Sequence, residues 1–253
     1  MTEVVTIGRA TLYCGDAYQI RPTLGWMDAD VLDPPYLFNN SGGGAFRKAR
    51  GASDQIVEEG LDRGFDRSII DPRLCGAAVV FCHNDEIKDL VPAIVDDERA
   101  DFDALIVADM LSALRQRFNR AALCVWLKPN PSPMANKHYL ADMEPYIHAW
   151  NPGFHPQGEH HDKHRHVTAQ SVRSKLYGHP TVKPDALMDK IMRNVAGQTV
   201  CDPFMGSGST GVAALRAGKS FVGIEKNRTH FETACRRITQ AWEQARKFDG
   251  EAA

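Results

Sequence analysis

Thr199-Val200-Cys201-Asp202-Pro203-Phe204-Met205-Gly206-Ser207-Gly208-Ser209-Thr210 is an apolar run ending in a carboxylate, then a turn with two glycines, then the opening of a helical pattern. Gly206 and Gly208 allow the tight turn, and Ser209-Thr210 are suited to cap the helix that follows. Backbone amides at such a helix start can meet a polar or anionic ligand group. Phe221-Val222-Gly223-Ile224-Glu225 repeats the arrangement, a second apolar strand ending in an acid, followed by Lys226 and Asn227. A carboxylate in that place can accept hydrogen bonds from both hydroxyls of a ribose. Two acid-ended strands around a glycine-rich turn therefore point to a nucleotide-like ligand lying against backbone. The plainer reading is a strand-turn-helix whose glycines serve only the turn. The third glycine of the dinucleotide fingerprint and the lysine of a phosphate-binding P-loop are both missing.

Outward from this stretch, short apolar runs alternate with helical patterns, which predicts an α/β fold with a mostly parallel sheet and helices on its faces. Strands are expected at 29–32, 77–81, 121–126, 199–201 and 220–224, and helices over 85–95, 102–118, 184–195, 209–217 and 228–246. Residues 37–73, with Asn39-Asn40-Ser41-Gly42-Gly43-Gly44 and the basic cluster Arg47, Lys48 and Arg50, have few large apolar residues and read as a mobile loop. Residues 151–178, with the polar run Glu159-His160-His161-Asp162-Lys163-His164-Arg165-His166, read as a surface loop.

The 253 residues, 43% hydrophobic, suffice for one substantial core and hence a single domain, 1–253. Thirty Lys+Arg against 32 Asp+Glu leave a formal charge of -2, so any nucleic-acid-binding surface must be local. The six cysteines are scattered without C-x-x-C spacing, which predicts buried thiols in a reducing compartment. No basic-then-apolar leader opens the chain and no apolar stretch reaches the length of about 20 residues that spans a bilayer. A soluble, cytoplasmic protein without a membrane partner is expected.

Asp33-Pro34-Pro35-Tyr36, after the apolar run at 29–32, carries groups that can grip a planar amine. The exocyclic nitrogen of adenine or cytosine is a poor nucleophile because its lone pair is delocalised into the ring. Asp33 offers a side-chain acceptor and Pro34 a carbonyl for its two hydrogens, which would favour the tetrahedral nitrogen. Paired prolines stiffen the segment, and Tyr36 offers a face on which an extruded base can stack. Read alone, Asp-Pro-Pro is equally a turn at a strand end.

Taken together, these residues resemble the DNA N6-adenine/N4-cytosine amino-methyltransferases of the beta group, in which the catalytic tetrapeptide precedes the cofactor loop. Further stretches carry the resemblance: Leu12-Tyr13-Cys14-Gly15-Asp16-Ala17, Val125-Trp126-Leu127-Lys128-Pro129-Asn130 and Gly178-His179-Pro180-Thr181-Val182-Lys183-Pro184. The resemblance implies a Rossmann-like, circularly permuted fold and S-adenosyl-L-methionine as cofactor. Asp16, Ala17, Asp33, Thr181, Lys183, Asp202, Pro203, Phe204, Gly206, Ser207, Gly208, Ser209, Thr210, Glu225, Lys226 and Asn227 would hold it, and Asp33, Pro34, Pro35 and Tyr36 would handle the base. It further implies methylation of DNA at adenine N6, with cytosine N4 as the alternative. A protein glutamine methyltransferase fits less well, because that pattern starts with Asn and puts the cofactor loop first; a silent DNA-binding protein is a further alternative.

Where the family places target recognition, this chain has only the short histidine-rich stretch. DNA contacts are therefore expected from Arg47, Lys48 and Arg50, from Lys163, Arg165, Arg173 and Lys175, or from a second subunit of a homodimer. No metal is expected at His160, His161, His164 and His166, since methyl transfer requires none and no cysteine lies nearby.

Overall fold

The computed structural model describes residues 2–35, 64–82, 114, 117–131, 140–172 and 182–251, with side chains up to 247. The expected helix over 85–95 and most of that over 102–118 fall outside the described residues.

Among the described residues nine strands form one sheet: β1 (Glu3–Ile7), β2 (Ala10–Cys14), β3 (Met27–Leu32), β4 (Cys75–Phe81), β5 (Arg120–Leu127), β6 (Met143–Trp150), β7 (His166–Thr168), β8 (Thr199–Asp202) and β9 (Ser220–Glu225). Their order is β1-β2-β9-β8-β3-β4-β6-β5-β7. β1 runs antiparallel to β2, and β6 antiparallel to both β4 and β5; every other pairing is parallel. Among the described residues the α-helices are α1 (Ala17–Ile20), α2 (Asp185–Asn194), α3 (Ser209–Arg216) and α4 (Arg228–Glu251).

Alternation along the strands feeds two cores. Ala29, Val31, Val79, Phe81 and Trp126 pack with Leu187, Met188, Ile191 and Met192 of α2, Val212 and Ala213 of α3, and Phe231, Ala234 and Ile238 of α4. Leu32, Ala78, Val80 and Ile147 face the other way, onto Ala17 and Ile20 of α1, Ile69, Ile70, Leu114 and Phe118. The mostly parallel α/β sheet with helices on both faces agrees with the reading of the sequence, and all five expected strands are present.

Two segments differ from that reading. Residues 64–73, expected within a mobile loop, hold a 3-10 turn at Arg67–Ile69 that buries Ile69 and Ile70 in the second core. The stretch after β6 is also more than loop. It forms a 3-10 turn at His160–Lys163 and the edge strand β7, pinned to α2 where the buried Asp162 accepts hydrogen bonds from Arg193 and its backbone carbonyl takes one from Asn194. The histidines themselves are exposed, with the His164 ring edge-on to His160 and tilted against His166. Asp162 was hidden from the sequence reading because a single acid inside a polar run gives no sign of which way it points.

β3 and β8 are adjacent although they lie far apart in sequence, and a local staple sets their register. Asp28 Oδ2 accepts hydrogen bonds from the backbone N–H groups of Gln198 and Thr199, at 2.6 and 2.7 Å, and from the Thr199 hydroxyl, at 2.8 Å. Gly197, at φ 78°, lies so close to Asp28 that a Cβ there would collide with its carboxylate.

One buried polar group has no such partner. His148 in β6 lies edge-on to Trp150, and among the described residues its Nε2 has no hydrogen-bond partner. Burial pushes its imidazole down to about 4. A histidine that stays neutral in the fold but charges at about 6.5 when unfolded contributes stability that is fully present above pH 6.5 and lost as pH falls toward 4. We predict that His148→Phe reduces the loss of unfolding free energy between pH 7 and pH 5 by about 2 kcal/mol. Urea titrations of both proteins at the two pH values check this, and equal losses would rule His148 out as the titrating group.

Candidate active site

The chain leaves β3 toward β4 on one side and β8 toward β9 on the other, so β3 and β8 flank the switch point of the sheet, where open α/β sheets bind ligands at their carboxyl ends. Asp33 follows β3, Asp202 ends β8, Glu225 ends β9, and Asp16 follows β2 by two residues. The sequence-predicted acids therefore converge on one edge of the sheet.

The glycine loop is held from three directions. Glu225 Oε2 accepts the Gly206 N–H at 2.8 Å and Oε1 accepts that of Asn227 at 2.7 Å, so this carboxylate joins the loop to the end of β9. Met205 N–H donates to the Ile224 carbonyl at 2.9 Å. From behind, Arg237 of α4 donates to the Ser207 carbonyl at 2.7 Å and to the Ser207 and Ser209 hydroxyls at 3.0 and 3.3 Å. Gly206 and Gly208 sit at φ 52° and 83°, where other residues are strained. Gly208 is itself the N-cap of α3, with no side-chain cap. The expectation that Ser209-Thr210 cap this helix is thus corrected: their hydroxyls are drawn to Arg237 and Asp202. The α3 N-terminus is left with its first amides unmet by any capping side chain.

Asp202 is buried and accepts the Phe204 N–H at 2.9 Å. Burial drives its carboxyl up to about 7, against the hydrogen bonds from Thr210 and Phe204, and the charges of Asp33 and Glu225 push the same way. Pro203 is buried behind the loop, while the Phe204 ring is half-exposed between Tyr18 and Phe65, both 6.1 Å away edge-on. Asp16 caps α1 by accepting the Tyr18 N–H and pairs with Lys226 at 3.1 Å; Ala17 is buried in that helix. Asn227 accepts the Thr229 N–H at 2.9 Å at the head of α4.

Asp33 is engaged from below. Lys183 Nζ lies 2.6 Å from Asp33 Oδ2 and 2.8 Å from Glu144 Oε1, and Lys128 Nζ lies 2.6 Å from Glu144 Oε2. Lys183 is buried against the Phe81 ring, and Lys128 lies over that of Trp126. Burial opposes charge on both Glu144 and Lys183, yet their opposite partners prevail, holding the Glu144 carboxyl below its usual range and the Lys183 amine above its own. Pro34 is buried and Pro35 half-buried. Tyr36 and Thr181 lie outside the described residues, as do Arg47, Lys48, Arg50, Arg173 and Lys175. Lys163 and Arg165 are exposed beside β7. Among the described residues, no group of three or more His, Cys, Asp or Glu could hold a metal ion. Sequence reasoning missed Glu144 and Arg237: one acid opening an apolar strand and one arginine in a basic helix carry no signature in a single sequence.

A mostly parallel sheet whose acids gather at the carboxyl ends of the strands beside its switch point defines a Rossmann-like α/β domain. The profile of the N6/N4 DNA methylases matches residues 74–236, and the chain belongs to this family. The match leaves out Asp16 and the Asp33-Tyr36 tetrapeptide. Type II methyltransferase M2.DpnII of Streptococcus pneumoniae is 28% identical over 130 residues, which is 45% of this chain and 48% of that protein. DNA adenine methyltransferase YhdJ of Escherichia coli (strain K12) is 42% identical over 65 residues, 25% of this chain and 22% of that protein. The chain thus matches about half or less of the length of these curated relatives. The fold is shared with the M1.HpyAVI–SAM complex, at TM-score 0.58 and 22% identity over 90% of this chain and 99% of that one. It is also shared with the cytosine-N4-specific PvuII DNA methyltransferase, at TM-score 0.59 and 15% identity over 95% and 93%.

Arg237 donates three hydrogen bonds to the glycine loop from a half-buried position. We predict that Arg237→Met lowers the unfolding free energy by about 1.5–3 kcal/mol, the worth of hydrogen bonds to a charged group. Urea denaturation measures it, and an unchanged midpoint would show that the loop holds without the clamp.

Proposed function

We propose that this chain is an S-adenosyl-L-methionine-dependent DNA methyltransferase acting on an exocyclic amine, with adenine N6 as the target. Family membership and the adenine-specific name of YhdJ support this reading. The observation that carries it is the juxtaposition, across the β3–β8 switch point, of an amine-gripping Asp33-Pro34 with the acid-ended glycine loop. The fold shared with a cytosine-N4-specific enzyme keeps N4 methylation as the second reading.

The residues present fit the cofactor. Four carboxylates, Asp16, Asp33, Asp202 and Glu225, line one edge of the sheet, and burial together with its acidic neighbours suppresses the charge of Asp202. Such a site attracts a ligand carrying positive charge. When bound, S-adenosyl-L-methionine supplies an electrophilic methyl group on a sulfonium. Asp16, Asp202, Glu225 and the 203–210 loop would hold it, with Thr181, Lys226 and Asn227 beside them. Asp33 and the Pro34 carbonyl accept the two N–H bonds of the target amine, restoring its lone pair, and Tyr36 would stack on the flipped base. Lys163 and Arg165, together with Arg47, Lys48, Arg50, Arg173 and Lys175, would contact DNA phosphates. The protein would work without a metal and in the cytoplasm; among the described residues no helix is long and apolar enough to cross a membrane.

Asp33→Ala is expected to lower turnover by on the order of 10² or more while cofactor affinity, titrated without DNA, stays nearly unchanged. Digesting methylated DNA to nucleosides and weighing the product tests the whole reading: N6-methyl-2′-deoxyadenosine supports it, N4-methyl-2′-deoxycytidine moves it to the second reading, and an unmodified digest overturns it.

The Asp202 carboxyl, which titrates at about 7, gives a second test. Only its ionised form attracts a cation, so cofactor affinity should rise by roughly threefold or more as pH goes from 6 to 8. Asp202→Asn should bind more weakly with a flat profile. Calorimetry across this range checks the sign, and a flat wild-type profile would place the cation away from Asp202.

A further inference from the structure

The chain Lys128–Glu144–Lys183–Asp33 crosses from β5 through β6 and the segment before α2 to the end of β3, every link an ion pair of 2.6 to 2.8 Å. Glu144 is its centre. It is the second residue of β6, the strand that runs against its neighbours, so its side chain enters the carboxyl edge of the sheet from a strand that begins there. The links follow a logic of charge. Lys183 is buried in a place where an ammonium persists only with anionic partners, and it has two. Glu144, also buried, has one lysine on each oxygen. Two cations and two anions alternate and sum to zero, and no member can be removed without leaving an unbalanced buried charge.

We propose that Glu144 is the positioning residue for Asp33: by fixing Lys183 Nζ it sets which way the Asp33 carboxylate faces the target amine, and Lys128 balances the charge that this requires. The proposal rests on the reading of Asp33 as the amine acceptor. Asp33 follows β3 and leads directly into the next segment, so backbone alone fixes its Cα but not its χ angles. The contact of Lys183 with Oδ2 fixes the plane of the carboxylate, and Lys183 is itself aimed by its second bond to Glu144. A small error in this plane is costly, because an acceptor for a planar amine works only along its N–H directions.

The test is a double-mutant cycle on the full chain, with turnover on DNA and calorimetric cofactor binding read in parallel. Glu144→Gln keeps the shape but removes the charge and sets an amide N–H against one lysine. It is expected to lower kcat by roughly 10- to 100-fold, as a misaimed catalytic group does, with cofactor Kd changed by less than about threefold. Lys128→Met alone should also lower kcat. The pair, which restores a neutral Lys183–Asp33 couple, should recover at least about threefold over Glu144→Gln, a coupling that lost packing would not produce. Unchanged kcat in Glu144→Gln, a Kd that rises as much as kcat falls, or strictly additive losses would each overturn the proposal. If Glu144→Gln is too unstable to assay, the charge-balanced pair decides alone: full wild-type turnover in a folded pair overturns the proposal, and lowered turnover with cofactor Kd kept supports it. Asp33→Ala measured alongside separates the two levels. Full turnover there would sink the reading of the site itself, whereas its loss together with a normal Glu144→Gln would sink only the positioning role.

Discussion

The register between β3 and β8 is the constraint on which the rest of the structure depends. Side chains on a strand alternate faces, so a slip of one residue would send Val31 out of its core and carry Asp33 away from Asp202. Only two residue pairs, Ala29 with Val200 and Asp30 with Cys201, define this junction in the ladder. The Asp28 carboxylate, taking three hydrogen bonds from Gln198 and Thr199, makes up for the shortness of that pairing. It does so at the far end of the strands from the crevice, where a charged group can sit without disturbing the carboxylates opposite. Two residues on, Arg21 grips Asp30 through two bonds of 3.0 Å and ties β3 to the residues that follow α1.

With register set, the crevice divides its acids into two kinds. Asp33 and Glu144 have the buried Lys183 ammonium within 2.8 Å, and its charge with that of Lys128 holds the Glu144 carboxyl below its usual range. Asp202 is met by hydrogen bonds from Thr210 and Phe204, and its burial pushes its carboxyl up to about 7. Neighbouring carboxylates whose surroundings drive their proton affinities apart can take different roles, one as a fixed acceptor and one as a responder to ligand charge. That division follows from where the lysines lie, and both come from segments that flank the sheet edge.

Much of the fold was legible in the sequence because several strands are written as unbroken apolar runs. Ala77-Ala78-Val79-Val80-Phe81 and Ala121 through Trp126 needed no context. β6 was illegible for a physical reason. Met143-Glu144-Pro145-Tyr146-Ile147-His148-Ala149-Trp150 contains a proline, an acid and a histidine, which argue for a loop. The proline is tolerated near the strand's start, and the acid is neutralised by lysines 16 residues before it and far after it. β7 was hidden by its brevity and histidines. The acids and glycines of the crevice could be read because their chemistry is local to short motifs. Glu144 and Arg237 could not, since each acts through a partner that only the fold supplies.

The placement of β8 between β3 and β9 also bears on how the molecule is made. Asp28 and Thr199 are 171 residues apart, so the middle of the sheet is closed by a strand made long after β3. At about 5–20 residues per second, β3 waits roughly ten to thirty seconds with one edge bare before its neighbour is synthesised. Loop closure over such a span is slow, and an exposed edge is the usual starting point for misassembly. The nascent chain therefore passes through a half-built sheet in which the β8 edge of β3 is still unpaired.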